Sequence, residues 1–256
     1  MTIRHTKQTD IPALRQLWKQ AFGDGDAFLD SFFSVAYAPE RSLCAWEDGK
    51  IVAMVYWLDF RWREHKIAYG YAVATDEKYR KRGICHKLLE SMRQRLRKQG
   101  YYGILLVPEN RKLLEFYERM GYTPCCGMEH FDIPAAGRPD PGLRPITWEQ
   151  YARYRLQLLP EESLHPGDEV YRFLDSYLKF YRADAGIFCC AVEETPEGRL
   201  LRIEEFLGEP KGLFAITAAM GCQTCKVRLR GHYAYGVFRH LTRDKALPKY
   251  HGLPMK

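Results

Sequence analysis

The sequence contains no apolar run long enough to cross a bilayer. Its longest runs, Ile51 to Leu58 and Gly186 to Val192, fall far short of the roughly 20 residues a spanning helix requires. The opening Met1-Thr2-Ile3-Arg4-His5 is not followed by the apolar segment of a secretory leader. Without a route to an oxidising compartment, the eight cysteines are expected to be reduced thiols in a cytoplasmic protein. Cys222-Gln223-Thr224-Cys225 has neither a second C-x-x-C nor a close histidine to complete a zinc site, so it reads as ordinary thiols and no metal is expected. Low-complexity tracts and clear repeats are also missing. The charge balance, +7 at neutral pH, is only moderately basic. It suits a polyanionic ligand without making nucleic acid the default partner.

What is present is an ordinary globular composition. The 256 residues are 46% apolar and 28% charged, enough for a sizeable core in one large domain or two modest ones. Residues 132–147 hold four prolines and two glycines, which resist both helix and strand. They are expected to link a first domain (1–131) to a second (148–256). In the first, Ile3 to His5 is expected as a short strand. Ile11, Leu14, Leu17, Trp18 and Phe22 form one helical stripe, with Thr9 or Asp10 as cap and Pro12 in the first turn. Phe28 to Val35 suggests another helix. Leu43 to Glu47 and Ile51 to Leu58 read as strands joined by Asp48-Gly49, a hairpin turn signal. A strand at Ile67 to Thr75, a helix at Gly83 to Gln99, a strand at Ile104 to Val107 and a helix at Arg111 to Met120 follow.

In the second domain, helices are expected at Trp148 to Leu159, Asp168 to Tyr181 and Pro210 to Met220. Strands are expected at Ile187 to Glu194, Leu200 to Leu207 and Lys226 to Leu229. The order strand, helix, strand over residues 200–229 echoes the first domain.

The chemistry concentrates where the strand ending at Thr75 runs into Arg80-Lys81-Arg82-Gly83-Ile84-Cys85 and a helix opens. The first amides of a helix lack internal partners and carry partial positive charge, which attracts anions. Three cationic side chains precede Gly83, which has no side chain to block a phosphate. Read alone, this stretch serves equally well as a solvated basic turn before a surface helix. The further basic residues up to Lys98 admit a nucleic-acid surface, but they spread around a solvent face and no nucleic-acid motif accompanies them.

Downstream lie Asn110 and then Phe116-Tyr117-Glu118-Arg119-Met120-Gly121-Tyr122. With Arg80 and Gly83, these residues resemble the GNAT (GCN5-related N-acetyltransferase) superfamily, which has Arg/Gln-x-x-Gly-x-Gly/Ala at its pyrophosphate loop. Cys85 departs from the small residue usual at the last position. A larger residue there resembles the enhanced-intracellular-survival acetyltransferases, which carry an extra C-terminal domain. The resemblance implies an α/β fold with a central mixed, splayed sheet flanked by helices, plus a smaller C-terminal α+β domain that could be a degenerate GNAT-like copy.

By the same resemblance the donor would be acetyl-CoA and the acceptor a small-molecule or peptide amine, with direct transfer and no metal. Val73, Ala74 and Thr75 would meet the pantetheine arm through their backbone. Arg80, Lys81, Arg82, Gly83, Ile84 and Cys85 would hold the pyrophosphate, Asn110 would sit near the cofactor, and Tyr117 would be the general acid. Tyrosine titrates near 10 and a thiol near 8.5, so Tyr117 stays protonated at neutral pH. Freeing the lone pair of a lysine-like amine at pH 7 costs about 4.6 kcal/mol. Candidate bases are Glu109, Asp59, Glu64 and His65. The terminal carboxylate of Lys256 is the counterpart of one that reaches the site in survival-type relatives, and is disfavoured here because the second domain is shorter. The second domain is expected to shape the acceptor pocket or an oligomer interface. The alternative is a non-catalytic acyl-CoA-binding module. No membrane partner is expected.

Overall fold

A computed structural model describes residues 1–253. The chain divides into two compact units whose segments interleave. The first comprises residues 1–124, 166–173 and 236–247; the second comprises 125–165, 174–235 and the residues from 248 onward.

The first unit opens with β1 (Thr2–His5) and α1 (Ile11–Phe22). Pro12 lies in the first turn of α1, but Asp10 does not cap it by side chain. Its carboxylate instead accepts from Arg4 at 2.6 Å and from the Lys7 amide at 2.8 Å. α2 (Asp26–Ser31) is shorter than the aromatic spacing implies, because Phe32–Ala36 relaxes into a wider π turn. β2 (Ser42–Glu47) and β3 (Lys50–Trp62) form the expected hairpin, with both turn residues, Asp48 and Gly49, at positive φ. β4 (His65–Thr75), α3 (Ile84–Lys98), β5 (Gly103–Leu106) and α4 (Arg111–Arg119) complete the run that the sequence implied.

The sheet of this unit is mixed. β1, β2, β3 and β4 pair antiparallel in chain order, and β5 lies parallel to β4. The second half of β13 (Tyr233–His240), which the sequence did not reveal, pairs antiparallel with β5. Gly103 carries no side chain because the Phe238 ring occupies that space. β3 is buried on both faces, so it reads as one long apolar run. Val55 and Trp57 face the core under α3 and α4. Tyr56 faces an aromatic layer in which Trp18 lies 5.4 Å from Tyr56, 4.7 Å from Phe32 and 5.6 Å from Tyr71.

Two features of β4 shape the site. Its register with β3 shifts so that Val55 opposes both Ala72 and Val73, a bulge marked by the positive φ of Ala72. Its parallel pairing with β5 covers only Ile67–Tyr69. Beyond Tyr69 the two strands part, which is the splay expected of the fold.

In the second unit, β6 (Thr123–Pro134) and β7 (Arg144–Ile146) both use residues of the proline-rich stretch. Prolines are tolerated there because Pro134 ends β6 and β7 lies at the edge of its sheet. α5 (Trp148–Leu158) follows, then a two-residue β8 (His165–Pro166). α6 (Asp168–Asp175), whose residues up to Phe173 belong to the first unit, is about half as long as expected, because residues from Lys179 join β9 (Lys179–Ala183). β10 (Gly186–Thr195), β11 (Gly198–Gly208), α7 (Leu213–Ala219) and β12 (Thr224–Arg230) complete the unit. β11 and β12 are parallel and joined through α7, as β4 and β5 are through α3. The echo seen in the sequence is therefore a shared topology.

α5 anchors its unit through charge. Arg155 and Glu205, both 0% exposed, pair through two nitrogens at 2.8 and 3.1 Å. Arg155 also donates to the Leu164 carbonyl at 2.8 Å, and the Tyr151 hydroxyl donates to Glu205 at 2.7 Å. Removing one partner of such a pair leaves a buried charge uncompensated. Arg155→Met should therefore lower the unfolding free energy by about 3–5 kcal/mol. Urea denaturation followed by circular dichroism measures this, and a loss under about 1 kcal/mol would contradict the assigned role.

Candidate functional site

The turn between β4 and α3 is built from local backbone chemistry. The Asp76 amide bonds to the Val52 carbonyl at 2.9 Å, tying the end of β4 to β3. The Asp76 side chain accepts from the Lys78 amide at 2.9 Å and starts a short 3-10 turn at Glu77–Tyr79. Lys81 and Gly83 then both take left-handed backbone, at φ 61° and 72°. Gly83 stands at the N-cap of α3, and no side chain caps the helix. The leading amides of α3 are left for a ligand or solvent. Alternating left- and right-handed residues turn successive N–H groups toward one point, which makes a concavity for an anion. A Cβ placed on Gly83 would meet nothing within 4 Å, so the space above it is open.

The side chains of this turn do not act as three equivalent cations. Arg80 folds back to donate to the Thr75 carbonyl at 3.2 Å and lies 3.4 Å from Glu77. Arg82 reaches Glu47 at 3.1 Å. Lys81 is exposed, and no carboxylate pairs with it among the described residues. The cradle is therefore chiefly main chain, with Lys81 as its free cation. Asn110 caps α4 by accepting from the Leu113 amide at 3.1 Å, which accounts for its place after β5 in structural terms.

Tyr117 lies on the inner face of α4 and is 7% exposed. Its ring packs 5.4 Å from Phe116 and 5.6 Å from Tyr122. Ile84 shares this core, and Val73 and Cys85 pack against it. Residues from β4, the start of α3 and α4, far apart in sequence, thus meet in one place. Burial, with smaller contributions from Cys85 and Tyr122, pushes the Tyr117 phenol well above its usual range. Burial also pushes the Cys85 thiol up to about 11, so it is protonated at neutral pH and unsuited to nucleophilic attack.

The candidate bases fare differently. Trp62 pairs with His65 at one end of the β3–β4 ladder and Ala53 with Thr75 at the other. Ten residues of strand put Glu64 and His65 about 30 Å from Thr75. His65 stacks on Tyr102, with ring centroids 4.3 Å apart. Asp59 is committed to structure: it accepts from the Tyr101 hydroxyl at 2.5 Å and lies 3.2 Å from Lys66 and 3.4 Å from Arg41. Glu109 is exposed just beyond β5. Lys256 lies outside the described residues. Among the described residues no group of three or more histidine, cysteine or acidic side chains could hold a metal ion, and no helix is long and apolar enough to cross a membrane.

Gly83→Ala tests the cradle's backbone. The added methyl meets no atom, so only the left-handed backbone is penalised. The expected destabilisation is about 1–2 kcal/mol, read from a thermal or urea midpoint, and a loss above about 4 kcal/mol would mean the space is filled.

Comparison with known proteins bears on the fold. The family model for the acetyltransferase (GNAT) domain matches residues 2–125. No curated protein sequence matches the chain. The fold resembles that of a GCN5-related N-acetyltransferase from Anabaena variabilis, with TM-score 0.76, 15% identity and coverage of 94% of this chain and 73% of that one. A GCN5-related N-acetyltransferase from Kribbella flavida gives TM-score 0.69 and 16% identity, over 93% of this chain and 70% of that one. Eis1 from Mycobacterium abscessus gives TM-score 0.68 and 10% identity, over 94% of this chain and 74% of that one. At such identities the likeness is one of fold. Residues 2–125, just under half of the chain, thus match the acetyltransferase (GNAT) domain family, and the fold of the chain resembles that of GCN5-related N-acetyltransferases.

Proposed function

We propose that this protein transfers an acetyl group from acetyl-CoA directly to a primary amine on a small molecule or peptide. The observation that carries the reading is the uncapped start of α3, with left-handed Lys81 and Gly83 beneath open space, beside a strand edge that β5 leaves unpaired. Bound acetyl-CoA would supply an activated thioester and a diphosphate.

The amides of Gly83, Ile84 and Cys85 would bind the diphosphate, with Lys81 adding long-range attraction. The edge of β4 at Val73, Ala74 and Thr75 would offer backbone N–H and C=O groups to the amide-rich arm of the donor, as a strand pairs with a peptide. The bulge at Ala72–Val73 re-aims these groups away from the regular ladder. Asn110 would act indirectly, by fixing where α4 starts and so where Tyr117 stands.

Tyr117 would hold a proton on Oη. Burial strengthens that hold, so the phenol would act as a hydrogen-bond donor to negative charge developing on sulfur and transfer its proton late. A protonated acid is needed, and the raised pKa extends its working range upward. The amine must arrive or become neutral, which favours turnover as pH rises toward about 10.4.

Tyr117→Phe should lower kcat by about 10²- to 10⁴-fold and leave the CoA dissociation constant within about twofold, since the ring and its packing remain. In the wild-type protein kcat should show no alkaline fall below pH 10. Thiol release from acetyl-CoA with a panel of primary amines measures both. CoA binding without turnover on any amine would favour the non-catalytic acyl-CoA-binding module, and unchanged turnover in the variant would remove Tyr117 as the acid.

A further inference from the structure

A carboxylate beside a diphosphate cradle is electrostatically out of place, yet Glu47 stands there. It lies at the end of β2, and its side chain is 17% exposed. One oxygen accepts from Arg82 at 3.1 Å. The other is buried with no hydrogen-bond partner among the described residues. Arg82 in turn lies over the Tyr79 ring, 5.0 Å from its centroid, and Lys50 lies over the same ring at 4.6 Å. Tyr79 itself packs against the core beneath α3. The β2–β3 hairpin therefore grips the turn at two points: Glu47 on the Arg82 guanidinium and Lys50 on the Tyr79 ring.

What the grip holds is the backbone between those points. Lys81 sits between Arg80 and Arg82 at φ 61°, and Gly83 follows at φ 72°. A non-glycine residue does not stay left-handed unless its surroundings over-determine it. Arg80, bonded back to Thr75, and Arg82, bonded to Glu47, fix the residues on either side of Lys81. The cost of the second, unpartnered Glu47 oxygen is consistent with a residue kept for what it positions.

We propose that Glu47 is a positioning residue of the anion cradle: through Arg82, stacked on Tyr79, it keeps Lys81 and Gly83 left-handed and the following amides convergent. Arg82 serves as a strut of the turn, with no phosphate contact of its own. This inference rests on the diphosphate reading given above, and its test separates the two.

Electrostatics alone and positioning predict opposite signs. Glu47→Gln removes a negative charge close to the proposed diphosphate, which by itself would tighten CoA binding. Loss of the strut would loosen it. Calorimetric titration with CoA, without acceptor, should show the dissociation constant rising at least fivefold in Glu47→Gln; unchanged or tighter binding would overturn the proposal. Arg82→Met should give a similar loss. The double variant should be no weaker than either single variant within about twofold, because both changes break one contact. Losses that multiply would show that Arg82 meets the anion independently and would also overturn it. Hydrogen exchange of ligand-free protein provides a readout that needs no CoA. The amides of Arg80 and Lys87, which donate to the Glu77 and Gly83 carbonyls at 3.3 and 3.1 Å, should exchange at least fivefold faster in Glu47→Gln while amides of β3 are unchanged, and equal exchange at these two amides would refute the strut. Wild-type protein that fails to bind CoA in the same titration would sink the functional reading, while the exchange result would still judge the clamp.

Discussion

The site depends on two parallel strands that pair and then separate. β4 and β5 share hydrogen bonds only as far as Tyr69 and Leu105. Backbone polar groups must be satisfied somewhere, and beyond that point one edge of β4 has no strand partner among the described residues. The bulge at Ala72–Val73 twists the strand where the separation begins. α3 starts at Ile84, one short 3-10 turn beyond the end of β4, so its unpartnered amides follow the free edge along the chain. A free strand edge and a free helix start are each common. On the proposed reading, their succession along the chain would give a ligand with an amide-rich arm and an anionic end two matched places to bind.

The second layer of the argument concerns side chains that support backbone. In the β4–α3 turn the obvious cations are mostly engaged with protein groups: Arg80 with Thr75 and Glu77, Arg82 with Glu47 and Tyr79. Their work is to shape main chain, and main chain is a better anion ligand than a flexible side chain because its ordering cost is met on folding. Tyr117 follows the same logic. Its position derives from α4, whose start is set by Asn110, and its proton affinity derives from burial among Phe116, Tyr122 and Cys85. The second unit uses polar groups differently, with Arg155 and Glu205 wholly buried and saturated by Tyr151 and a carbonyl. That arrangement specifies how α5 seats on its sheet and offers no group to a ligand.

Most elements of the first unit were legible in the sequence because their signals are local. The stripe from Ile11 to Phe22, the Asp48-Gly49 turn, the apolar run before Pro108 and the glycines after α3 and α4 each state a conformation within a few residues. The anion loop was legible too, since a strand, a basic turn, Gly83 and an amphipathic helix follow one another. The second unit was harder. Asp168 to Tyr181 has helical spacing throughout, but β9 captures residues from Lys179 because an edge was available on β10. The prolines of 132–147 suggested a break, while the sheet used the residues around them.

The sequence by itself carried the GNAT resemblance of the first unit, the order of its main elements and the residues proposed for the cradle, because these depend on spacing along one segment. Only the tertiary structure decided what those residues do. Glu47 meets Arg82 across 35 positions, Val73 and Cys85 pack against the core that holds Tyr117, and β13 returns to pair with β5 from more than a hundred residues away. The same structure removed Glu64 and His65 by placing them at the far tip of a long hairpin. Pairings of this kind are set by which strand edges and core surfaces remain open once the chain has collapsed, and no local pattern of residue types encodes them.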